Sequence, residues 1–438
     1  MKRVLMKALF PCIVLMLMVF PLLAAIGCGD NNDEETAPTS NPQITPMATT
    51  QVTPTPTLET YKIGAVTPTA TTQVTPTPTL ETYKIGAVFA ASGRNAPLGD
   101  PEKKTAELLE KQINDAGGIN GHKLDIVIYD TESDETKCVL LTKKLIDQDK
   151  VSAIVGPTST GESVALLDTV TKAKLPLVSC AASFKIVQPV EDRYWIFKTP
   201  QSDLLAADQI FSYAKKQGIT KVATICDSAG FGKNGEEALT MEAPKYSMSI
   251  VDKESYGPSD TDMTTQLTKI KGTDAQAIIC WGTNPGPAVI AKNVKTLGIT
   301  LPLFNSHGIA NQEFITLAGD AANGVIFPAG KIIALNAVPD TDPQKLVLQK
   351  FLTDYQATYN SVPNTFAGHA WDAIQMVVMA MTAVGNDSTK IRDYLENDIK
   401  SFAGTGGVFN MSPQDHNGLG PGAFLMVKIE DGKWTAIQ

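Results

Sequence analysis

Two short loops carry residue types that can hold an anion. The first, Gly156–Gly161 (GPTSTG), follows an apolar strand-like run and precedes a helical pattern. The second, Ser179–Ser183 (SCAAS), follows the next strand-like run. Hydroxyl groups beside the free N–H groups of a helix N-terminus suit a carboxylate or a phosphate. Ordinary helix capping explains the same residues, and the two loops alone do not decide between these interpretations.

A glycine string of the form GxGxxG occupies Gly230–Gly235, between a strand-like run and a helical pattern. An acidic residue, Asp252 or Glu254, lies about 20 residues further on, as in dinucleotide-binding folds. The string lies in the middle of the chain. The N-terminus has the pattern of an export signal, and we do not expect dinucleotides to be available to an exported protein. We therefore favour a loop that contacts some other ligand.

The patterns of known catalytic sites are missing from the sequence. There is no GxSxG, no P-loop and no HExxH, and the four histidines are far apart. Ser159 and His307 with an aspartate could be imagined as a triad, but their spacing gives that idea no support. The sequence therefore predicts a protein that is not an enzyme, with no cofactor and no metal. Four aromatic residues could line a pocket, although each is more often a core residue: Trp281, Phe231, Trp371 and Tyr194.

Length and charge limit the classes of partner. The chain has 438 residues, enough for two or three domains, and a formal net charge of −9. Removing the first 27 residues takes away Lys2, Arg3 and Lys7 and makes the remainder more acidic still. Because nucleic-acid binding needs a basic surface, we expect no nucleic acid as a partner.

The N-terminus has the pattern of a secretory signal. Its basic residues are followed by the apolar run Ala8–Ile26 and then by Gly27-Cys28 and a strongly polar segment. Cys28 after small residues is similar to a bacterial lipobox, which predicts a signal peptide over 1–27 and a lipid on Cys28. An uncleaved membrane anchor is the alternative, which Pro11 and Pro21 disfavour. Both interpretations place the rest of the chain outside the cytoplasm.

Residues 28–82 are rich in Thr and Pro and predict a disordered tether. Within this region the same 19 residues occur twice, as Ala48–Val66 and Ala70–Val88. Only the second copy continues into an apolar run, so we predict that Tyr83–Phe89 is the first strand. The copy at 61–66 is then a duplication left in the tether, which could also compete for the same place in the sheet.

After residue 83, strand and helix patterns alternate twice, which predicts two consecutive α/β units with parallel sheets covered on both faces. Pro101 is expected at the first position of the first helix and Gly117 just past its end. Predicted strands are 83–89, 124–129, 152–155, 177–179, 221–226, 250–255, 277–281 and 303–305, with short strands near 406–409 and 423–429. Predicted helices are 101–115, 134–148, 160–173, 203–217, 232–246, 261–271 and 285–297, followed by a mostly helical region at 343–398.

Four cysteines remain beyond the signal region: Cys138, Cys180, Cys226 and Cys280. Four cysteines allow three pairings. Two of them, Cys226 and Cys280, end apolar strand-like runs and fit core thiols better than a bridge. We predict that the protein has no disulfide.

Several ordered strings resemble type I periplasmic solute-binding proteins, and most closely the leucine/isoleucine/valine-binding family that serves ABC importers. The resemblance covers residues 82–438. The strings are KIGAVF (84–89), GGINGHKL (117–124), IYDTESD (128–134), IVGP (154–157), LPLVS (175–179) and AGDAANGV (318–325).

The resemblance implies two Rossmann-like lobes joined by three crossing strands, with closure on a ligand about a hinge. Lobe one would hold 83–198 and 329–405, and lobe two would hold 199–328 and 406–438. The crossings would then fall near Lys198-Thr199, Phe327-Pro328 and Gly406-Gly407.

The resemblance also implies site residues. In lobe one the ligand carboxylate would be held by Ser159 and Thr160 and by the loop Ala181-Ala182-Ser183. In lobe two Phe231 would pack on the ligand, and Thr283 would contact it with Trp281 and Asn284 beside it.

The sequence departs from the family at three positions. His307 stands where amino-acid binders have the acid that pairs with the ligand ammonium, and a histidine cannot replace that charge. Either Asp227 takes over this pairing or the ligand lacks an α-amino group. Leu98 stands where an aromatic residue is common, and Ser159 stands where the family's disulfide would have its second cysteine.

We therefore expect a monomeric, lipid-anchored extracytoplasmic protein that captures a small carboxylate and delivers it to an ABC permease. The ligand is either a branched-chain or related amino acid or an amine-free aromatic or aliphatic carboxylate. A sensory module that reports ligand occupancy to a membrane receptor is an alternative use of the same lobes, and an exported hydrolase is a third and weaker one.

Overall fold

The computed structural model describes residues 80–437. The predicted signal peptide, the lipid site Cys28, nearly all of the tether and the first copy of the repeat lie outside these residues. Within 80–437, no helix is long and apolar enough to cross a membrane.

Fourteen strands and eleven α-helices occur among the described residues. The strands are β1 (Tyr83–Phe89), β2 (Leu124–Asp130), β3 (Ala153–Val155), β4 (Leu177–Ser179), β5 (Ile196–Lys198), β6 (Lys221–Asp227), β7 (Ser249–Tyr256), β8 (Ala277–Trp281), β9 (Leu303–Asn305), β10 (Ile326–Gly330), β11 (Phe402–Ala403), β12 (Val408–Phe409), β13 (Phe424–Glu430) and β14 (Lys433–Ile437). The helices are α1 (Ala96–Asp115), α2 (Glu135–Lys144), α3 (Thr160–Ala173), α4 (Asp203–Lys216), α5 (Gly230–Glu242), α6 (Thr264–Lys271), α7 (Gly286–Thr296), α8 (Gln312–Ala318), α9 (Lys345–Tyr359), α10 (Thr365–Val384) and α11 (Ser388–Asn397).

The first sheet has five parallel strands in the order β2-β1-β3-β4-β5. Its interior strand β1, between β2 and β3, is the predicted first strand, with the predicted bounds. Side chains of β1 are buried on both faces: Ile85 and Phe89 pack in one core cluster with α10, and Val88 packs in another with α3. Burial on both faces explains why the strand reads as a continuous apolar run.

The second sheet has seven strands in the order β14-β13-β10-β9-β8-β6-β7. Five of these, β6 to β10, are parallel and follow the same order as the first sheet, whereas β13 and β14 are antiparallel additions. Strands β5 and β10 were not among the predicted strands, and neither was β14. Asp431 and Gly432, both with positive φ, connect it to β13, and an Asp-Gly pair is a strong hairpin signal.

The predicted start of the first helix is wrong. Helix α1 begins at Ala96, with Pro97 in its first turn, so Pro101 lies inside the helix. Tertiary packing holds the added turn, because Leu98 is buried and Gly99 lies so close to Ala90 that a Cβ there would be 2.3 Å from the Ala90 carbonyl oxygen. Gly117 does follow the end of the helix, with φ 101°.

The segments that connect the two sheets are hydrogen-bonded to one another. The Thr199 hydroxyl donates to the His369 carbonyl at 2.9 Å, and the Gln201 amide donates to the Gly406 carbonyl at 2.6 Å. The Gln344 amide donates to the Gly404 carbonyl at 3.0 Å. The Gln201 and Gln344 bonds hold the three connections together, and the Thr199 bond ties the first of them to α10.

Asp372 of α10 ties the third connection to a helix that covers the first sheet. Its carboxylate accepts from the backbone N–H of Thr405 at 2.5 Å and from that of Gly406 at 2.7 Å. The side chain is fully buried. Burial raises the pKa of Asp372 to about 7.

The chain remains beside the first sheet for some way beyond residue 406. Phe409 and Met411 belong to the core cluster of the first sheet, whereas Phe424 begins β13 of the second. The predicted third crossing at Gly406-Gly407 would assign Phe409 and Met411 to lobe two. The lobe boundaries therefore stay predictions, and this packing favours a later third crossing.

All four cysteines among the described residues are free and buried: Cys138, Cys180, Cys226 and Cys280. Burial raises the pKa of each thiol, which suppresses the reactive thiolate. We expect these thiols to resist alkylation near pH 8 in the folded protein. After denaturation, the number of labelled thiols should be the same with and without prior reduction. A rise in labelling after reduction, measured by mass spectrometry, would reveal a disulfide.

Candidate functional site

A cavity lies where the carboxyl ends of the parallel strands of both sheets meet. The loops after β1, β3, β4 and β5 line one side, and the loops after β6, β7, β8 and β9 line the other, with α10 closing the base. This is the edge at which open α/β sheets bind ligands. About 60 Å³ is open to the centres of water-sized spheres, which is room for a small molecule rather than a nucleotide.

On the side of the first sheet, Ser159 and Thr160 both line the cavity. Their hydroxyl groups differ in whether they have a hydrogen-bond partner. Ser159 is the N-cap of α3 and forms a capping box with Glu162. The Thr160 hydroxyl is buried and has no hydrogen-bond partner among the described residues. The backbone N–H groups of Thr160 and Gly161 open the helix, where no intrahelical acceptor is available. Thr160 is therefore the better candidate for contact with an anion.

Gly156 brings this loop against strand β1. Gly156 has φ 86°, and a Cβ there would lie 2.3 Å from the Val88 carbonyl oxygen. Both the left-handed conformation and the close approach need a residue without a side chain. The loop after β3 is thereby fixed next to the loop after β1, at the position where the strand order reverses.

In the loop after β4, Ala181 and Ala182 line the cavity and Ser183 does not. The Ser183 hydroxyl accepts from the side-chain amide of Asn234 in α5 at 2.8 Å. Ser183 therefore joins the two sides of the site to each other.

On the second-sheet side, the N-terminus of α5 faces the N-terminus of α3. An ideal Cβ on Gly230 would lie 3.2 Å from the Gly161 backbone nitrogen. Phe231 follows it and lines the cavity. An exposed ion pair between Lys185 and Glu237 lies in the same contact region. The two sides are thus in direct contact around the cavity.

Packing explains the glycines of the GxGxxG string. A Cβ on Gly232 would lie 2.1 Å from the Asp227 carbonyl oxygen, and one on Gly235 would lie 2.3 Å from the Trp281 ring. The string lets α5 approach the strands beneath it and needs no dinucleotide to account for it.

His307 lines the cavity within an aromatic shell. Its ring centroid lies 5.5 Å from that of Phe231, 6.0 Å from that of Trp281 and 5.4 Å from that of Phe424, all in edge-on arrangements. Burial, and then the charge of Lys198, lower the pKa of His307 to about 3. The imidazole is therefore neutral and offers one donor and one acceptor.

Trp281 is fully buried and does not line the cavity, whereas Thr283, two residues further on, does. Trp281 lies behind Phe231, with their ring centroids 5.9 Å apart. It supports the wall of the site from behind.

Asp227 lines the cavity, and its carboxylate is bonded to the local backbone. Its Oδ1 accepts from the Ala229 N–H at 2.8 Å. Burial raises the pKa of Asp227, and nearby backbone N–H groups and the charge of Arg94 oppose that rise.

Sequence reasoning missed several lining residues: Arg94, Asn95, Glu135, Tyr256, Phe366 and His369. Most of them follow a parallel strand. The rule that ligands bind at the carboxyl ends of parallel strands, which identified the loops after β3 and β4, would therefore have identified these residues as well. His369 and Phe366 come from α10, far along the chain, and no local pattern marks them. Leu98, singled out as a departure, and Asn284, placed beside Thr283, also line the cavity.

Five lining side chains carry buried polar atoms that find no partner within residues 80–437. They are the Thr160 hydroxyl, the Tyr256 hydroxyl, the Asn284 carbonyl oxygen, both ring nitrogens of His307 and Nδ1 of His369. Buried polar groups are nearly always hydrogen-bonded, so this set makes the cavity the candidate binding site. No cluster of three or more potential metal-binding side chains occurs in that part of the chain.

A family model, related sequences and solved structures agree on the family and the fold of this chain. Residues 82–433 match the sequence model of the family described as Periplasmic binding protein. The Leu/Ile/Val-binding protein homolog 3 of Brucella melitensis is 23% identical over 354 residues, which is 79% of this chain and 91% of that protein.

Two solved structures share the fold. An extracellular ligand-binding receptor from Rhodopseudomonas palustris is 30% identical with a TM-score of 0.77, covering 82% of this chain and all of that one. The branched-chain amino acid transporter substrate binding protein LivJ from Streptococcus pneumoniae, solved with isoleucine, is 28% identical with a TM-score of 0.71, covering 81% and 99%. The predicted fold and family are confirmed: this chain has the type I periplasmic binding protein fold and belongs to the periplasmic binding protein family.

Proposed function

We propose that this protein is the extracytoplasmic substrate-binding component of an ABC importer and captures a small carboxylate. The buried, unpartnered hydroxyl of Thr160 carries the proposal, because it lies at the N-terminus of α3 inside a cavity shared by both sheets. A helix N-terminus attracts a negative charge, and a hydroxyl donor adds a directed hydrogen bond.

Closure of two lobes about a hinge is part of the proposal. The cavity lies between the two sheets, and its two sides are joined by contacts such as the hydrogen bond between Asn234 and Ser183. The three connections are bonded to one another and can act as a common hinge. A ligand that contacts both walls would favour the closed arrangement by its differential affinity for it.

Export, anchoring and delivery complete the proposal. The predicted signal peptide and lipidated Cys28 would hold the protein at the outer face of the cell membrane, with the Thr- and Pro-rich segment as a tether. The family is one of solute-binding proteins rather than enzymes, which supports delivery of the bound ligand to permease subunits. Relatives named for leucine, isoleucine and valine binding make branched-chain or related amino acids the first ligands to test, beside amine-free carboxylates.

The test is a screen of small carboxylates by thermal shift, followed by titration calorimetry of the hits with the Thr160→Val variant. Valine keeps the shape of threonine and removes the hydroxyl. Loss of a hydrogen bond to a charged group is expected to weaken the affinity about 10- to 100-fold.

Thr142→Val is the matched control, because Thr142 is equally buried in α2 and does not line the cavity. Its affinity should equal that of the unchanged protein. An unchanged affinity in Thr160→Val, or a screen in which no carboxylate binds, would contradict the proposed function.

A further inference from the structure

Asp227 offers the cavity a carboxylate oxygen that has no partner. Asp227 ends β6, is buried and lines the cavity. Its Oδ1 accepts from the Ala229 N–H at 2.8 Å, whereas its Oδ2 has no hydrogen bond among residues 80–437. Nearby backbone N–H groups and the charge of Arg94 favour the charged form, but no lysine or arginine within the same range forms an ion pair with it. Asp227 can therefore give a ligand one charged acceptor.

The Tyr256 hydroxyl lies close to the same carboxylate oxygen. A Cβ on Gly282 would lie 2.0 Å from the Tyr256 hydroxyl and 2.9 Å from Oδ2 of Asp227, so both atoms lie around one point beside Gly282. A Cβ on Gly286 would lie 2.3 Å from the Tyr256 ring, so this ring needs a glycine there as well. The hydroxyl is buried and finds no partner in the described part of the chain, which leaves it free to accept from a ligand.

The side-chain amide of Asn284 has its orientation fixed by a hydrogen-bond network. Its nitrogen donates to Oδ1 of Asn311 at 3.1 Å, and that oxygen also accepts from the Phe314 N–H at the start of α8. Because the backbone donor identifies the Asn311 oxygen, the nitrogen of Asn284 must face it. The carbonyl oxygen of Asn284 is then left buried and without a partner within 80–437, in a residue that lines the cavity.

The two walls of the cavity offer opposite kinds of group. The wall formed by the second sheet presents three acceptors, of which one is charged, and an ammonium group has three donors. A buried ammonium needs a charged partner of this kind to replace its hydration. The wall formed by the first sheet presents donors, namely the Thr160 hydroxyl and the N–H groups at the N-terminus of α3. The walls therefore match the two ends of a zwitterion.

We infer that Oδ2 of Asp227, the Tyr256 hydroxyl and the Asn284 carbonyl oxygen bind the ammonium of an α-amino acid whose carboxylate binds at the N-terminus of α3. This inference rests on the proposed function and names its substrate class. Asp227 then determines specificity, in place of the acid that the resemblance puts at position 307, where this chain has a histidine. Because the two ends of the ligand contact opposite walls, these contacts also favour the closed arrangement.

The test compares amino acids with analogues that lack only the α-amino group. Leucine is paired with isocaproate and phenylalanine with hydrocinnamate, each as a ligand of the full chain in titration calorimetry. At least one amino acid should bind about 30-fold or more tightly than its analogue. Asp227→Asn keeps an oxygen for the Ala229 N–H and removes the charge. It should weaken binding of that amino acid about 30-fold or more and leave the affinity of the analogue within about threefold.

Tyr256→Phe is a second variant, which removes one hydroxyl and keeps the ring in place. It should weaken binding of the amino acid about tenfold and leave the analogue unaffected. Glu135→Gln is the matched control, because Glu135 is an exposed acid that lines the same cavity beside Gly161, at the carboxylate end of the site. Any effect there acts on both ligands alike, so the ratio of their affinities should not change.

The possible results separate the two proposals. If each analogue binds as tightly as its amino acid, the inference is wrong and carboxylate capture still stands. If Asp227→Asn weakens both ligands of a pair equally, Asp227 supports the shape of the site and does not pair with an ammonium, which also overturns the inference. If no member of either pair binds, the inference and the proposed function both fail.

Discussion

Gly230→Leu is expected to weaken ligand binding about 100-fold or more, on the order of 3 kcal/mol, by preventing closure. Gly230 is the first residue of α5 and faces the first turn of α3 across the cleft. A Cβ at this position would already lie 3.2 Å from the Gly161 nitrogen and 3.5 Å from the Thr160 Cγ2. The further atoms of leucine have no space unless the two walls separate.

The measurement pairs titration calorimetry with small-angle X-ray scattering. The unchanged protein should become more compact with ligand, and Gly230→Leu should not. The free energy of unfolding should change little, because the φ of Gly230 is not in the left-handed region and leucine is tolerated at the start of a helix.

Gly422→Leu is the control for this substitution. Gly422 is exposed, and a Cβ there would meet no atom within 4 Å. Normal affinity and normal compaction are expected for it. If Gly230→Leu also bound and compacted normally, closure at the α3–α5 contact would not be needed for binding.

The sequence predicts the strands well because their apolar runs are short and continuous. Strands β1, β4, β8 and β9 have the predicted bounds. Burial on both faces requires an unbroken apolar segment, and polar loops end it sharply. The start of α1 could not be predicted in this way, since the close packing of Gly99 on Ala90 holds an extra turn in front of Pro101.

The site could be predicted in its position but not in all its contacts. The loop at 156–161, which was predicted to hold an anion with its hydroxyl groups, lines the cavity. The sequence also contains a pattern that distinguishes the roles of these hydroxyl groups. Ser159 and Glu162 have the spacing of a capping box, so the serine hydroxyl bonds to its own helix and the next residue faces the cavity. His369 could not be predicted, because it reaches the cavity through the packing of a helix some 210 residues beyond this loop.

Asp372→Leu is expected to lower the free energy of unfolding by about 2–6 kcal/mol. Asp372 holds the N–H groups of Thr405 and Gly406 with its two oxygens, and no water reaches this fully buried side chain to replace it. Each buried donor left without a partner costs about 1–3 kcal/mol. The Gln201 and Gln344 bonds converge on the same segment, so the loss should also loosen the connections between the sheets.

The pH dependence gives this prediction a second readout. Because burial raises the pKa of Asp372 from 3.8 to about 7, the folded state binds more protons than the unfolded state between these values. The contribution of Asp372 to the free energy of unfolding of the unchanged protein therefore decreases as the pH rises across that range. Asp372→Leu removes this contribution, so its penalty in urea denaturation should be larger near pH 5 than near pH 8.

Asp168→Leu separates these effects from the general loss of an aspartate. The Asp168 side chain is 90% exposed and pairs with Lys172 at 3.4 Å, an ion pair that contributes little in water. Its unfolding free energy should stay within about 0.5 kcal/mol of the unchanged protein. A similarly small effect of Asp372→Leu, equal at both pH values, would mean that the Thr405 and Gly406 amides find other partners. The third connection would then not depend on α10 for its position.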